Sequence, residues 1–583
     1  MQLDLAQRPI DETIAARLAA SLRVRSATAR CLVGRGVNDP TDAKGFIDPR
    51  LAALRPPIGL AGMVRAADRI ADAVTRGERI GVFGDYDVDG VTTAALLTSF
   101  LRASGAAGVE CAVARRDAGY GFTPAAATDF AARQCSLVIT GDCGTNDLEA
   151  IAAAAAFGVE VIVVDHHTVP SAEHLVIHPA LALVNPFRSD STFPFRGMAS
   201  VGLAFYVAAA VRTELRGRGW YTTRREPDVR DLLDLVALGT IADLVPLTSE
   251  NRILTSLGLR RIQSRARPGV AALLAVANVS SEREVDAGTV AWKLAPRINA
   301  PGRLGAAEPS LALLLADADT APERAQALEA ANLERRAIQE RVVNEALAQI
   351  EARIGDGDPG PAIVIAGEGW PTGIVGLVAS KLVDRYQRPA FVVGIDPVSG
   401  LGRGSARTPG NVNLYEALSD AARTAVGCLD RYGGHAAAAG FTVQRESIGA
   451  LTEALGGACA RLAEGSGPVN RHRQFDAEVR LAEVDERLAE ELAGLGPFGQ
   501  QNPAPLLVTR SSRVTAVRRV GDGKHLKLSI ADDAGTMRGA IAFNLGERPV
   551  EVGARIDLAF VPTISTYQGR RSAELEVADL AIV

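Results

Sequence analysis

The sequence predicts an α/β protein of several units: a parallel-sheet domain, a long connecting helix, a smaller α/β domain and a C-terminal β-barrel. Three observations predict it. From Arg79 onward, short β-rich runs alternate with helical ones: IGVF (80–83), Thr92 to Arg102, LVIT (137–140), Asp147 to Phe157 and VIVV (161–164), the pattern of βαβ units. GDGDPGP (355–361) breaks the chain with residues that disfavour a helix, and AIVIA (362–366) then opens a second α/β unit. The last hundred residues alternate as strands do, in HLKLSI (525–530) and RIDLAFV (555–561), with glycine turns between them.

A chain of 583 residues exceeds one hydrophobic core, since domains run to about 100–200 residues. Residues 1–60, with Pro9, Pro40, Pro49, Pro56 and Pro57, read as an irregular N-terminal extension. The parallel-sheet domain spans 61–319. Its second helix is bounded by Asn146 as a cap, Glu149 answering it, and Gly158 closing the end in a left-handed turn. The connecting helix spans 320–354 and opens on a Thr320/Glu323 capping pair. The smaller α/β domain takes 355–463, the polar stretch EGSGPVNRHRQ (464–474) is a linker, and the barrel takes 475–583. The basic stretch Arg212 to Arg230 reads as a solvated loop.

With 47% hydrophobic and 22% charged residues, the chain is neither wholly disordered nor collagen-like. No apolar stretch of about 20 residues occurs, and the start, MQLDLAQRPIDET, lacks the layout of a signal peptide, so the expected compartment is the cytoplasm, with no membrane partner. The six cysteines are scattered without a C-x-x-C pair, and free thiols are expected. A net charge of −5 gives no global signal for nucleic acid, but a cluster of metal-binding acids would mask a local positive surface in that sum.

The three N-terminal strands run into acid. IGVF leads to Gly84-Asp85-Tyr86-Asp87-Val88-Asp89-Gly90, LVIT to Gly141-Asp142-Cys143-Gly144, and VIVV to Asp165-His166-His167. Ligands of a parallel sheet bind beyond the carboxyl ends of its strands, so these segments converge on one crevice. Carboxylates that close together must protonate, pair with bases or bind cations, and lysines are scarce here. Asp with one imidazole suits Mn²⁺ or Mg²⁺, and Asp243 in GTIADLVPL completes the set. Any one of these acids by itself is most often a helix cap or turn residue; the joint pattern, in a chain with only seven histidines, favours metal.

These residues resemble the DHH phosphoesterase superfamily, named for the motif at 165–167, and the motif order is that of its single-stranded-DNA exonucleases. The motifs include DYDVDG (85–90), ARRDAGYGF (114–122), GDCG (141–144), ADLVPL (242–247), APRINAPGRLG (295–305), GWPTGIVGLVASKL (369–382), GRGSAR (402–407), GGHAAAAG (433–440) and PFGQQNPAP (497–505). The resemblance implies a DHH catalytic domain, a DHH-associated substrate-binding domain and an oligonucleotide-binding barrel. It implies a first divalent ion on Asp87 and Asp142, and a second on Asp89, Asp142, His166 and Asp243, with Asp142 bridging and Asp85 a weaker or indirect ligand. His167 then faces the scissile phosphate. Where some relatives carry histidine four residues before Asp87, this chain has Phe83, which leaves one ion short of a protein ligand. Two divalent ions, Mn²⁺ or Mg²⁺, about 3.5–4 Å apart suit in-line phosphodiester hydrolysis.

The implied activity is 5′→3′ degradation of single-stranded DNA to 5′-mononucleotides in recombination and repair. Arg115, Ser405 and Arg407 resemble a 5′-phosphate site, for which arginine's planar fork is apt. Gly433, Gly434 and His435 resemble a phosphate-contacting turn. Arg297, Asn299 and Arg303 are expected to grip the strand, and Trp370 either stacks on a base or fills the interdomain cleft. Pro371 stands where the family usually has histidine. Expected partners are single-stranded DNA, a single-strand-binding protein and a helicase, acting on a monomer. Two rival readings are a phosphoesterase for pyrophosphate or short oligonucleotides, against which the barrel speaks, and a DNA-binding relative without chemistry, against which the full acid set speaks.

Overall fold

In a computed structural model, the protein is described at residue 3 and over residues 5–116, 119, 121–170, 178–355, 357–464, 473–567 and 570–583. Asp117, Ala118 and Tyr120 of the ARRDAGYGF segment, and most of the expected linker 464–474, lie outside the described residues.

The first sheet is wholly parallel, in the order Gly108–Val113, Arg79–Gly84, Leu137–Gly141, Glu160–Val164, Ala182–Val184. Successive connections leave Arg79–Gly84 towards opposite edges, so the topological switch point lies between it and Leu137–Gly141, where Asp85 and Asp142 emerge. The central strands are buried on both faces, which is why they read as unbroken apolar runs.

The helix after the first strand runs Val88–Ala103, four residues earlier than expected, with Asp87 capping it by accepting the Gly90 N–H at 3.1 Å. The acids of DYDVDG therefore straddle a helix N-terminus. Gly90 is required there, because a Cβ would stand 2.4 Å from the Asp85 nitrogen. The next helix, Leu148–Ala156, is not capped by Asn146; Asp147 takes the cap position, and its carboxylate accepts the Phe122 N–H instead. Gly158 does close the end, at φ +75°.

The connecting helix is a single element, Ala321–Ile354. Thr320 precedes it but does not cap it with its side chain: the Thr320 hydroxyl donates to Asp317, whose carboxylate also accepts the Thr320 amide. The second sheet is mixed, in the order Arg431–Gly434, Ala438–Gln444, Leu401–Arg407, Ala390–Ile395, Ile363–Glu368, with only the last pair parallel. In the C-terminal unit, Leu507–Val520 pairs with both His525–Ala531 and Arg555–Tyr567. That closes a five-stranded barrel through Met537–Ala542 and Arg570–Ile582.

The N-terminal segment is not an irregular extension. It forms the helices Glu12–Leu22, Ser26–Val33 and Pro40–Ile47, each short and broken by the prolines and polar residues that suggested irregularity. Their apolar faces pack on one another and together join the barrel core, where Leu18 and Leu32 share a cluster with Leu488, Leu507 and Phe560. The strand Leu5–Gln7 pairs with Arg473–Phe475, and Asp476 takes ion pairs from Arg8 and Arg35.

The basic stretch 212–230 is a helix end and a short turn with several of its charges paired: Arg216 with Glu226 and Arg230 with Asp228 within the stretch, and Arg218 with Asp68 and Asp72 on the helix Met63–Arg76. No helix among the described residues is long and apolar enough to cross a membrane.

Candidate metal centre

Beyond the switch point the structure gathers Asp85, Asp87 and Asp142 into one group and Asp89, His166 and Asp243 into another; within each group, ligand atoms lie within 4.8 Å of one another. His166 links the two, its Nε2 standing 3.3 Å from Asp142, 3.5 Å from Asp243 and 3.9 Å from Asp89. Asp142 sits in the left-handed region at φ +63°, a conformation Asp tolerates better than most residues.

The electrostatics demand a counter-charge. Burial, reinforced by neighbouring carboxylates, raises Asp85 and Asp142 well above the ordinary carboxylate range, Asp89 to about 7 and Asp243 to about 9. Asp85 Oδ1 and Asp243 Oδ2 are buried without a hydrogen-bond partner among the described residues. Burial and the adjacent His167 charge hold His166 down to about 4, so its imidazole is neutral. A neutral imidazole among mutually repelling acids is a donor set for divalent cations.

His167 differs. Its Nδ1 lies 2.7 Å from Asp165, and although burial alone would lower it, that bond and charge raise it to about 9. Asp165 is held by the His166 and His167 amides as well, at 2.8 and 3.2 Å, so it orients the histidine pair. Phe83 packs edge-on against Phe122 and Phe130 and belongs to an apolar cluster.

Sequence reasoning missed two supports. Ser200 and Val201 open the helix Ser200–Gly217, and their amides donate to Asp89 at 2.7 and 2.9 Å, while the Ser200 hydroxyl donates to Asp142 at 3.1 Å. No motif announced this, because the partners lie 58 and 111 positions apart.

The second group of predicted residues lies between the two α/β domains. Arg303 is held by the Gly373 carbonyl at 3.2 Å, and burial, with Arg116, Arg335 and Arg407 nearby, lowers it to about 10. Arg407 reaches Ser405 Oγ at 3.0 Å and is also lowered by burial. Gly373 and Gly376, on the helix Thr372–Tyr386, let the Arg303 backbone and the Arg407 guanidinium close in. Arg115 is about half exposed, 3.9 Å from Glu308. Arg116, which lies over the Tyr86 ring at 4.0 Å, and Arg335 were not foreseen; only their company in space marks them.

The remaining predicted residues stand in varied surroundings. Arg297 is buried and paired with Glu329 on the long helix, so it ties helices together instead of gripping DNA. Trp370 is 3% exposed, packs in the core formed with Val342 and Ile374, and donates from Nε1 to Glu345, which removes it from base stacking. Asn299 is half-buried. Gly433, Gly434 and His435 lie on an exposed hairpin, Gly434 at φ +136°, and His435 donates its amide to the Ala438 carbonyl. Pro371 caps the helix Thr372–Tyr386 in an extended conformation.

Family profiles match in the same places: the DHH family N-terminal domain over 79–240, the DHHA1 domain over 360–461 and the RecJ OB domain over 475–579. Single-stranded-DNA-specific exonucleases RecJ are similar along the whole chain: that of Bacillus subtilis (strain 168) is 34% identical over 99% of this chain and 70% of the relative. That of Escherichia coli (strain K12) is 33% identical over 99% of both. The chain belongs to the RecJ family. The crystal structure of RecJ in complex with Mn²⁺ from Thermus thermophilus superposes with a TM-score of 0.80 at 29% identity, covering 99% of this chain and 78% of that one. Its Mg²⁺ counterpart gives 0.74 at 28%, covering 99% and 77%. RecJ-family domains thus cover both α/β units and the barrel.

Proposed function

We propose that this RecJ relative is a two-metal 5′→3′ exonuclease that degrades single-stranded DNA to 5′-mononucleotides in recombination and repair. The observation that carries the reading is the pair of donor groups joined through Asp142 and His166 at the sheet's switch point, with the buried Arg303 close to both Asp87 and Arg407. Asp85, Asp87 and Asp142 would hold one cation, and Asp89, Asp142, His166 and Asp243 the other. Bound there, Mn²⁺ or Mg²⁺ supplies Lewis acidity and an acidified water for phosphodiester hydrolysis.

The protein groups do the rest. The Ser200 and Val201 amides orient Asp89, and Asp165 holds His167 cationic, the state in which it can donate to a phosphate oxygen of the scissile bond. Arg407 with Ser405, and Arg115 at the cleft edge, recognise the 5′-phosphate, while Arg303, Arg116 and Arg335 neutralise the following phosphates and Asn299 donates a hydrogen bond to them. The exposed Gly433-Gly434-His435 hairpin closes over the strand from the second domain.

In this division of labour, residues 61–319 supply the chemistry, 355–463 read the end, 464–474 link and 475–583 hold the strand. The enzyme acts as a cytoplasmic monomer on strands opened by a helicase or presented by a single-strand-binding protein. The test is digestion of a 5′-phosphorylated single strand labelled at either end, with Mn²⁺ or Mg²⁺. Mononucleotides released from the 5′ end, with duplex left intact, are expected. Shortening from the 3′ end, or activity confined to dinucleotides, would refute the reading.

A further inference from the structure

The segment PFGQQNPAP (497–505) takes no part in the metal centre or the arginine group. It lies against the loop that leaves the metal centre: the Leu247 amide donates to the Gln500 carbonyl at 2.9 Å, and Gly499 rests on the Leu247 side chain, with a Cβ there standing 2.8 Å from Leu247 Cδ1. Asp243, at the start of that loop, reaches His166. A second path leads from the centre to the same place. Ser200 holds Asp142, and just before it Gly197 abuts Pro246, with Asn251 donating to the carbonyls of both at 2.7 and 2.9 Å. On its other side, 497–505 leads directly into the barrel strand Leu507–Val520. A continuous surface thus joins the metal centre to the barrel.

That surface presents four exposed side chains. Leu244 is 66% exposed at φ +59°, immediately past the end of the helix Leu233–Ala242, a position where glycine is favoured because a Cβ strains the left-handed backbone. Gln501 is exposed at φ +58°, and Gln500 is exposed beside it. Arg196 is exposed and pairs with no carboxylate among the described residues. Leucine at 244 bears both strain and exposure. A cation, an apolar side chain and two amides are what a single strand needs: charge for phosphate, an apolar face for sugar or base, and hydrogen bonds for edges.

We infer that Arg196, Leu244, Gln500 and Gln501 form a ledge that carries the single strand from the metal centre to the barrel, touching nucleotides on the 3′ side of the scissile bond. The inference rests on the exonuclease reading, which puts the cut end at the metals and the following nucleotides on the barrel, the two places that this surface connects.

The test uses the full chain with divalent ions chelated and a 5′-phosphorylated strand of about 20 nucleotides, longer than one barrel site, carrying 5-iododeoxyuridine at successive single positions. Photocrosslinks to peptides 243–247 and 496–505 are expected from positions between those that mark the cleft and those that mark the barrel. Crosslinks that pass from cleft to barrel without marking either peptide overturn the ledge. With metal restored, Leu244→Gly and Gln501→Gly, each placing glycine at a left-handed position, should raise KM for that strand about fivefold or more, the scale of one lost base contact, with no fall in Tm. An unchanged KM, or a lowered Tm in both variants, overturns it too. A protein that degrades no single strand with either ion fails the exonuclease reading itself, whereas one that degrades the strand without crosslink or KM change fails the ledge alone.

Discussion

Asp142 is where the two halves of the metal centre meet, within reach of His166 and the Ser200 hydroxyl and grouped with Asp85 and Asp87. Replacing it with alanine should abolish hydrolysis while preserving strand binding, because the arginine-lined cleft is untouched; turnover at the unmodified rate, followed by mononucleotide release, would refute the site. Arg407→Ala should erode the preference for a 5′-phosphate over a 5′-hydroxyl by about tenfold, since a hydrogen bond between charged groups is worth roughly 1.5–3 kcal/mol. Competition between the two strand types measures it, and equal use of both by the unmodified enzyme would undo the assignment. At this scale the sequence marked the clustering of the acids well, because acids placed directly after parallel strands meet beyond their carboxyl ends. It overrated Arg297 and Trp370, whose residue types suit DNA but whose partners, Glu329 and Glu345, stand on the long helix and cannot be read from local sequence.

The strands and the long helix followed from apolar periodicity, and the departures came at their ends. Thr320 and Asn146 both looked like caps, yet Thr320 donates to Asp317 and Asp147 replaces Asn146, because several polar residues near a helix start compete and packing selects among them. The N-terminal helices show the larger effect: they are amphipathic pieces whose apolar sides are completed only by the barrel. Leu18 is fully buried in that shared core, so Leu18→Ala should cost about 2–5 kcal/mol. Chemical denaturation followed in the C-terminal unit checks this; stability unchanged there would mean that the helices merely rest on the barrel.

Across the whole molecule, the units are clamped by groups distant in sequence. Arg252 is buried and donates to the carbonyls of Phe46 and Leu495, joining the N-terminal helices, the catalytic domain and the barrel unit at one guanidinium. The metal centre is equally a global matter, since Asp85, Asp89, Asp142 and Asp243, brought together from three separate segments, repel one another until cations arrive. Chelation should therefore both stop turnover and lower Tm, because a ligand bound only by the native state stabilises it in proportion to RT ln(1 + [L]/Kd). Scanning calorimetry with and without Mn²⁺ reads the second effect. A Tm indifferent to the ion would argue against occupancy of the buried group.

The order of strands and helices, and the acids at the ends of three strands, follow from the sequence alone, because periodicity and strand-end chemistry are short-range properties. Which surfaces those elements bury, which arginines face the cleft and which loops form the rim between centre and barrel were decided only in three dimensions. Burial and pairing depend on neighbours hundreds of residues away, and the free energy of a charged side chain is set by that company more than by its own place in the chain.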